Sequence, residues 1–237
     1  MSTPQLTLGL RWAPEFGREA WAEALQPGAL EALEAWIDGA TPGLLALIGP
    51  AGTGKSHLLK IAAERAEGLG RSVDWLAPAG SAVGPVLLSE RQAGLLCIDG
   101  LDAFPGGADW DAAWFHLLNR QHDRRGQVLI AARTWPPACG LPDLRSRWAL
   151  AARWPLDLPV DGYPALVAAK ARGLGLSLTA AALAVLAAEG PRDANQLVDL
   201  LRRLDRESLA AGRKPGPRLV RALLRRLHSA NAPLDPA

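Results

Sequence analysis

The sequence predicts an α/β fold in which helices flank a parallel sheet, followed by a small all-helical domain. Short apolar runs alternate with stretches of helical periodicity over the first two thirds of the chain, and this alternation is typical of a parallel sheet. After Pro159 the chain changes to Ala-, Leu- and Arg-rich segments of helical spacing. With 237 residues, the chain can form one large domain or two small ones with an ample core.

Five apolar runs predict the strands of the sheet. They lie at 44–48, 73–76, 94–99, 127–132 and 153–158. Helical spacing occurs at 27–37, after the turn that follows the first strand, and at 108–123. Residues 77–94 show no clear pattern, and 133–142 contain three prolines and are typical of a loop. Four helical segments follow, at 161–174, 178–189, 193–211 and 217–228.

These patterns divide the chain into four parts. The N-terminal peptide covers 1–17, the α/β domain covers 18–158, and the helical domain covers 159–229. A disordered tail is expected at 230–237.

Composition narrows the class of protein. The chain is 49% apolar and 21% charged, which is typical of a globular protein, and a net charge of +2 does not by itself indicate nucleic-acid binding. No run of 18 apolar residues and no signal peptide are evident, so we expect no membrane association and a cytoplasmic location. Cys97 and Cys139 match neither a disulfide framework nor a metal motif, and Cys97 is expected in the core.

The turn after the first strand carries the motif G-x-x-x-x-G-K-S. Its residues are Gly49, Pro50, Ala51, Gly52, Thr53, Gly54, Lys55 and Ser56, and His57 follows in the first helical turn. Glycines allow several backbone N–H groups to point at one small volume, the helix start adds its positive dipole end, and the lysine adds a cation. The alternative is a glycine-rich turn with an exposed lysine. The strand-turn-helix context favours a phosphate-binding loop that holds a nucleotide.

Asp99 ends the third apolar run and predicts the second half of the site. Its carboxylate and the hydroxyl of Ser56 are suited to hold Mg²⁺. The alternative is an aspartate that only begins a turn. Gly100 stands where ATPases of this layout usually carry the acid that orients water, and Asp102 need not face the same way. We therefore expect nucleotide binding with weak or no intrinsic hydrolysis.

The chain resembles the DnaA/Hda branch of the AAA+ ATPases over nearly its whole length. GPAGTGKSHLL resembles the Walker A motif, LLCIDGLDAF Walker B, LPDLRSRW the box VII region and LLRRLDRESLAAGRK the lid. The resemblance implies an AAA+ P-loop fold with a helical lid, ADP or ATP with Mg²⁺ as cofactors, and no C-terminal helix-turn-helix domain.

The resemblance also places Arg147 at the arginine-finger position. It implies that Arg147 acts in trans on ATP bound to DnaA. Arg145 is a competitor for this role, and the alternative is that Arg147 is a surface residue or pairs with Asp143 or Asp157.

The N-terminal segment resembles a peptide that binds the sliding clamp, the β subunit of DNA polymerase III. Its predicted contact residues are Gln5, Leu6, Leu8 and Leu10. An extended peptide projects alternate leucines to one side, which suits a shallow apolar pocket. The alternative is an edge strand or a tail with chance leucines.

Several positions depart from the family pattern. Arg133 stands at the sensor 1 position, and Asn195 at sensor 2, with Arg192 three residues earlier. These departures, together with Gly100, argue against ATP turnover by the chain on its own. The basic residues of the last helices are interleaved with acids, which favours a solvated face, while weak DNA contact and a homo-oligomer stay open.

We predict a nucleotide-binding regulator of replication initiation that binds the sliding clamp. It would promote hydrolysis of DnaA-bound ATP and so regulate initiation negatively. One alternative is a self-sufficient, helicase-loader-like ATPase. The other is a non-catalytic clamp-binding adaptor.

Overall fold

The structure is a computed structural model, and it describes residues 17–23, 26–40, 42–78, 84–157, 161–212 and 214–230. The chain forms two compact units. One is an α/β unit over Gly28–Asp157, and the other contains the described residues of 17–27 and 161–230. The predicted clamp-binding residues and the tail from 231 onward lie outside the described residues.

The α/β unit is built on a five-stranded parallel sheet, as the sequence predicts. Its strands are β1 (Gly43–Ile48), β2 (Val73–Leu76), β3 (Leu95–Asp99), β4 (Gln127–Ala132) and β5 (Ala152–Pro155), in the spatial order β2-β3-β4-β1-β5. Each pair of neighbouring strands is parallel, so the carboxyl ends meet at one edge. Because β4 lies between β1 and β3, the strand order reverses beside β1, which is where open α/β sheets bind their ligands.

The sheet register brings the ends of β1 and β3 to the same height. Ile48 pairs with Ala132 and Asp99 with Ala131, on opposite sides of β4. Directly after these strands, the N–H of Gly49 donates to Ala132 O at 3.2 Å and that of Gly100 to Ala131 O at 3.1 Å. Both turns therefore leave the sheet beside the end of β4.

Five helices belong to the α/β unit. They are α1 (Ala29–Asp38), α2 (Lys55–Gly68), α3 (Pro85–Ser89), α4 (Ala108–Asp123) and α5 (Pro142–Ala149), and a 3-10 turn covers Leu101–Ala103. β4 is buried along its whole length, which is why the strand is a continuous apolar run rather than an alternating pattern. Leu96, Ile98, Leu117, Ile130 and Trp148 form part of the core, and Cys97 is fully buried as predicted.

The helical unit contains four helices with one shared core. They are α6 (Tyr163–Gly173), α7 (Ala180–Glu189), α8 (Ala194–Ala211) and α9 (Pro217–Ala230). The hydroxyl of Thr179 accepts the N–H of Ala182 at 3.1 Å and caps α7. Leu186, Leu201 and Val220 are fully buried in this core.

The predicted domain boundary at residue 18 differs from the structure, in which the described residues of 17–27 belong to the helical unit. Its 3-10 turn, Arg18–Ala20, contacts α6 in the helical unit, and Ala20 and Trp21 are buried. The physical reason is the short apolar patch of Ala20, Trp21 and Ala22, which is too brief to show a period in the sequence. In the described part of the chain, no helix combines the length and apolar character needed to cross a bilayer.

Candidate nucleotide-binding site

The loop from Gly49 to Gly54 joins β1 to α2 and has the shape of a phosphate cradle. Gly49 packs so closely that a Cβ there would overlap the carbonyl oxygen of Leu156, the residue after β5. Gly54 precedes α2 with φ of 92°, a left-handed conformation that favours glycine. Two of the motif glycines are therefore required by the backbone itself, and the α2 N-terminus opens onto the loop.

Lys55 crosses the loop from the first residue of α2. Its Nζ donates to Gly49 O at 2.6 Å and to Pro50 O at 2.5 Å. Burial lowers the pKa of Lys55, while the Asp102 and Asp99 carboxylates raise it in part. The lysine is thus held at the loop, with two carboxylates nearby.

Ser56 and Asp99 meet although 43 residues separate them in the sequence. The hydroxyl of Ser56 donates to Asp99 Oδ1 at 2.8 Å. The structure therefore brings together the two predicted magnesium ligands. Among the described residues, no group of three or more His, Cys, Asp or Glu side chains is placed to hold a metal. One carboxylate and one hydroxyl beside a phosphate cradle nevertheless fit Mg²⁺, which commonly takes its other ligands from water and substrate phosphates.

The remaining motif residues differ in exposure. Pro50, Ala51 and Gly52 are exposed on the loop, whereas the Thr53 hydroxyl turns inward and donates to Pro50 O at 3.0 Å. His57 is only 4% exposed. Its imidazole therefore belongs to the interior, and any contact of this residue with a phosphate would fall to the backbone N–H.

Asp102 is engaged by the loop that follows β4. Its carboxylate accepts the N–H of Arg133 at 2.5 Å, and the N–H and hydroxyl of Thr134 at 3.2 Å and 3.1 Å. Gly100 adopts a left-handed φ of 73° and leads into the 3-10 turn that carries Asp102. The sequence left the direction of Asp102 open, and the structure shows that it anchors the loop at Arg133 and Thr134. The charge of Arg133 itself lies close enough to lower the pKa of Lys55.

The segment that carries Arg147 is fixed by groups that the sequence analysis did not identify. The Asp111 carboxylate, on α4, accepts the N–H of Gly140 at 2.6 Å and of Leu141 at 3.2 Å, just before α5 begins. Trp148 is 1% exposed, and its ring centroid lies 5.3 Å from that of Trp135. Asp111 lies 29 residues before Gly140, so no local sequence pattern indicated this contact.

Arg147 itself is half-buried on α5. Within the part of the chain that the structure describes, its guanidinium has no hydrogen-bond or ion-pair partner, and neither Asp143 nor Asp157 pairs with it. The predicted competitor, Arg145, is more exposed.

The sensor 2 region lies in the helical unit. The guanidinium of Arg192 lies over the Tyr163 ring, 4.0 Å from its centroid, and the Tyr163 hydroxyl donates to the Pro191 carbonyl. Asn195 is the second residue of α8. Arg192 is thus engaged by an aromatic ring within its own unit.

Three arginines of the last helices are paired with acids. Arg202 pairs with Asp199, Arg221 with Glu189 and Arg226 with Glu207, at 3.1–3.4 Å. This pairing favours the solvated-face interpretation over a phosphate-binding surface.

Comparison with known proteins agrees with this geometry. The family model described as the Hda lid domain matches residues 163–224. Domain III of the replication initiation protein DnaA from Thermotoga maritima superposes with a TM-score of 0.72 at 17% identity, over 91% of this chain and 98% of that chain. AMPPCP-bound DnaA from Aquifex aeolicus gives 0.61 at 17% identity, over 76% of this chain and 62% of that one.

A solved structure of a different kind of protein, a branch migration motor, has the same fold. The RuvB Holliday junction branch migration motor of Thermotoga maritima gives a TM-score of 0.61 at 18% identity, over 88% of this chain and 72% of that chain. At such identities the structural matches establish the AAA+ fold. The chain is thus an AAA+ protein whose residues 163–224 are similar to the Hda lid domain.

Proposed function

We propose that the chain binds an adenine nucleotide, ADP or ATP, with Mg²⁺ at the loop from Gly49 to Ser56. The support is the cradle, the Lys55 ammonium at its mouth and the Ser56–Asp99 hydrogen bond beside it. The Aquifex relative was solved with AMPPCP, an ATP analogue. A bound Mg²⁺ neutralises negative charge on the phosphates, and Ser56 with Asp99 would hold it.

We propose further that the chain promotes hydrolysis of ATP bound to DnaA, and so acts as a negative regulator of replication initiation. The observation that carries this proposal is the half-buried guanidinium of Arg147, which has no partner among the described residues and lies on an anchored helix. Inserted in trans, such a group stabilises charge on the γ-phosphate oxygens, and arginine fingers raise turnover by about 10³–10⁵ in other NTPases.

Intrinsic hydrolysis is proposed to be weak. Gly100 has no side chain to orient water, and the carboxylate of Asp102 is already bound by three donors of the Arg133–Thr134 loop. No other described carboxylate was identified for this role.

The proposed tether to the sliding clamp is the segment with Gln5, Leu6, Leu8 and Leu10. It is supported by the alternating leucines and by the Hda-type lid at the other end of the chain. Recovery of the clamp in a pull-down should be lost when Leu6→Ala is combined with Leu8→Ala. Thr7→Ala, on the opposite side of an extended peptide, is the matched control and should leave recovery unchanged.

The decisive experiment reconstitutes clamp, DNA and ATP-loaded DnaA, and compares wild type with Arg147→Ala and Arg145→Ala. Arg147→Ala should reduce stimulated hydrolysis by at least about a hundredfold, while Arg145→Ala, on the same helix, should change it little. Unchanged stimulation with Arg147→Ala would favour the non-catalytic adaptor.

Nucleotide binding has its own test, independent of DnaA. Calorimetry with ADP and with ATP should show binding by wild type and by Lys214→Ala, an exposed lysine elsewhere, but not by Lys55→Ala. Rapid ATP turnover by the isolated chain that Lys55→Ala abolishes would favour the self-sufficient ATPase.

A further inference from the structure

A basic pocket lies at the edge of the sheet opposite the nucleotide loop. Its volume is about 410 Å³, and it is lined by residues that precede four different strands. They include Ala40 before β1, Arg71 and Ser72 before β2, and Arg124 and Arg125 before β4. In a parallel sheet these positions meet at the amino ends of the strands, away from Lys55 and Asp99.

Among the described residues, the lining carries three arginines and no acidic residue. Two nearby aspartates are paired with other arginines: Asp38 binds Arg65 and Asp74 binds Arg91, each at 2.7 Å. Asp123, directly before Arg124, is exposed and does not line the pocket. The described lining is therefore a local concentration of positive charge without a carboxylate of its own.

Arg71 is the fixed member of this set. Its guanidinium is half-buried and donates to Ile37 O at 2.9 Å and to Gly94 O at 2.8 Å. Burial lowers the pKa of Arg71, and no carboxylate opposes this effect. A guanidinium has five N–H donors, so donors remain for a ligand. A half-buried cation held only by carbonyl oxygens gains from an oxyanion beside it.

The exposed guanidinium groups of Arg124 and Arg125 place two positive charges at the rim of the pocket. Both are exposed, and the part of the chain that the structure describes offers neither guanidinium a hydrogen-bond or ion-pair partner. Ser72 adds a hydroxyl that accepts the Gly94 N–H at 2.9 Å and keeps its own hydrogen to donate.

We propose that this pocket binds a small phosphorylated ligand of the pyrophosphate or nucleotide class. Three guanidinium groups around one concave volume match the charge and the several oxygens of such a group. The volume lies in the range of small-molecule sites, whereas a nucleic-acid backbone needs an extended basic track. The proposal does not depend on the proposed function, because the pocket shares no residue with the nucleotide loop.

The test uses radiolabelled pyrophosphate and equilibrium dialysis on the full chain carrying Lys55→Ala, which removes the P-loop lysine. One equivalent should bind. Adding Arg124→Gln with Arg125→Gln should weaken the affinity at least about tenfold. The matched control adds Arg203→Gln with Arg218→Gln, two exposed arginines of the helical unit with the same change in net charge, and should stay within about twofold.

A second pair of variants guards against misfolding of the arginine variant. Ala40 has a left-handed φ of 45°, a conformation that Asn and Asp tolerate well. Ala40→Asp should therefore keep the fold, checked by thermal melting, and weaken pyrophosphate binding by its charge. The isosteric Ala40→Asn should bind as the parent chain does.

Three results would overturn the proposal. They are no bound pyrophosphate, binding that the pocket variants leave unchanged, and binding lost equally in the control pair. A single-stranded oligonucleotide that binds where pyrophosphate does not, and is lost in the pocket variants, would also overturn it and assign the pocket to nucleic acid.

Discussion

The carboxylate of Asp102 accepts the backbone N–H of Arg133 at 2.5 Å, and so links the end of β3 to the end of β4. Asp102 lies three residues after Asp99 and only a 3-10 turn away. Asp99, the proposed magnesium ligand, and the loop at Arg133 are therefore joined by one short, hydrogen-bonded segment.

Loss of this link should destabilise the α/β unit. We expect Asp102→Ala to lower the free energy of unfolding by about 0.5–1.5 kcal/mol, because the three exposed donors of Arg133 and Thr134 exchange the carboxylate for water. Urea titration measures the change. Asp123→Asn, an exposed aspartate at the end of α4, is the control and should stay within about 0.5 kcal/mol. Equal effects of the two substitutions would contradict a structural role for Asp102.

The close approach of Gly49 to Leu156 predicts a large effect of one added methyl group. Gly49→Ala places its Cβ against a backbone carbonyl that cannot turn away, so β5 and the loop must separate. We expect a loss of about 1–3 kcal/mol and weaker nucleotide binding.

Gly43→Ala is the matched control. Gly43 begins β1, the strand that precedes Gly49, and a Cβ there meets no atom within 4 Å. Thermal unfolding should distinguish the two variants. Similar melting temperatures would show that the contact relaxes without cost.

The lowered pKa of Lys55 predicts proton uptake on nucleotide binding. Burial disfavours the charged ammonium in the free protein, and phosphate oxygens would favour it, so the pKa should rise in the complex. Between neutral pH and the ordinary lysine pKa of 10.5, binding should therefore take up protons, increasingly so as the pH rises. Calorimetry in buffers of different ionisation enthalpy measures the uptake. A binding heat that does not depend on the buffer at alkaline pH would count against this account.

The contact between Arg192 and Tyr163 should contribute to the stability of the helical unit. A guanidinium 4.0 Å from a ring centroid, at an exposed site, is worth about 0.5–1 kcal/mol. A double-mutant cycle of Arg192→Ala and Tyr163→Leu should show a coupling energy of this size. A coupling energy near zero would show that the ring does not hold Arg192, which would then be available for the predicted sensor 2 role.

Much of the sheet could be predicted because its central strands β1, β3 and β4 are largely buried and continuous in hydrophobicity. The predictions for 73–76 and 127–132 agree with β2 and β4 to the residue. The predicted strand at 153–158 begins one residue late and runs past the observed end at Pro155, although the N–H of Leu156 still donates to Ile48 O at 2.7 Å. The candidate site could be located by the same logic, because the motif directly follows β1 and Asp99 is the last residue of β3.

Other elements lacked a local signal. Helix α3 has five residues and lies within a stretch that shows no pattern, and α5 follows a loop with prolines whose anchoring depends on Asp111 from another helix. The role of Asp102 depends on donors 31 and 32 residues away. Long-range hydrogen bonds of this kind leave no period in a sequence. The predicted roles of Arg147 and of the N-terminal leucines stay predictions.

Both outer strands of the sheet are short, and this limits how copies of the chain can associate. β2 and β5 have four residues each, β2 carries Asp74, and β5 carries Arg153 and ends at Pro155, which has no N–H to donate. Such margins resist the addition of a strand from a second molecule, which is the usual route from a parallel sheet to aggregates. We therefore expect any higher-order assembly of this domain to form through helices and loops, where side-chain contacts decide which surfaces meet.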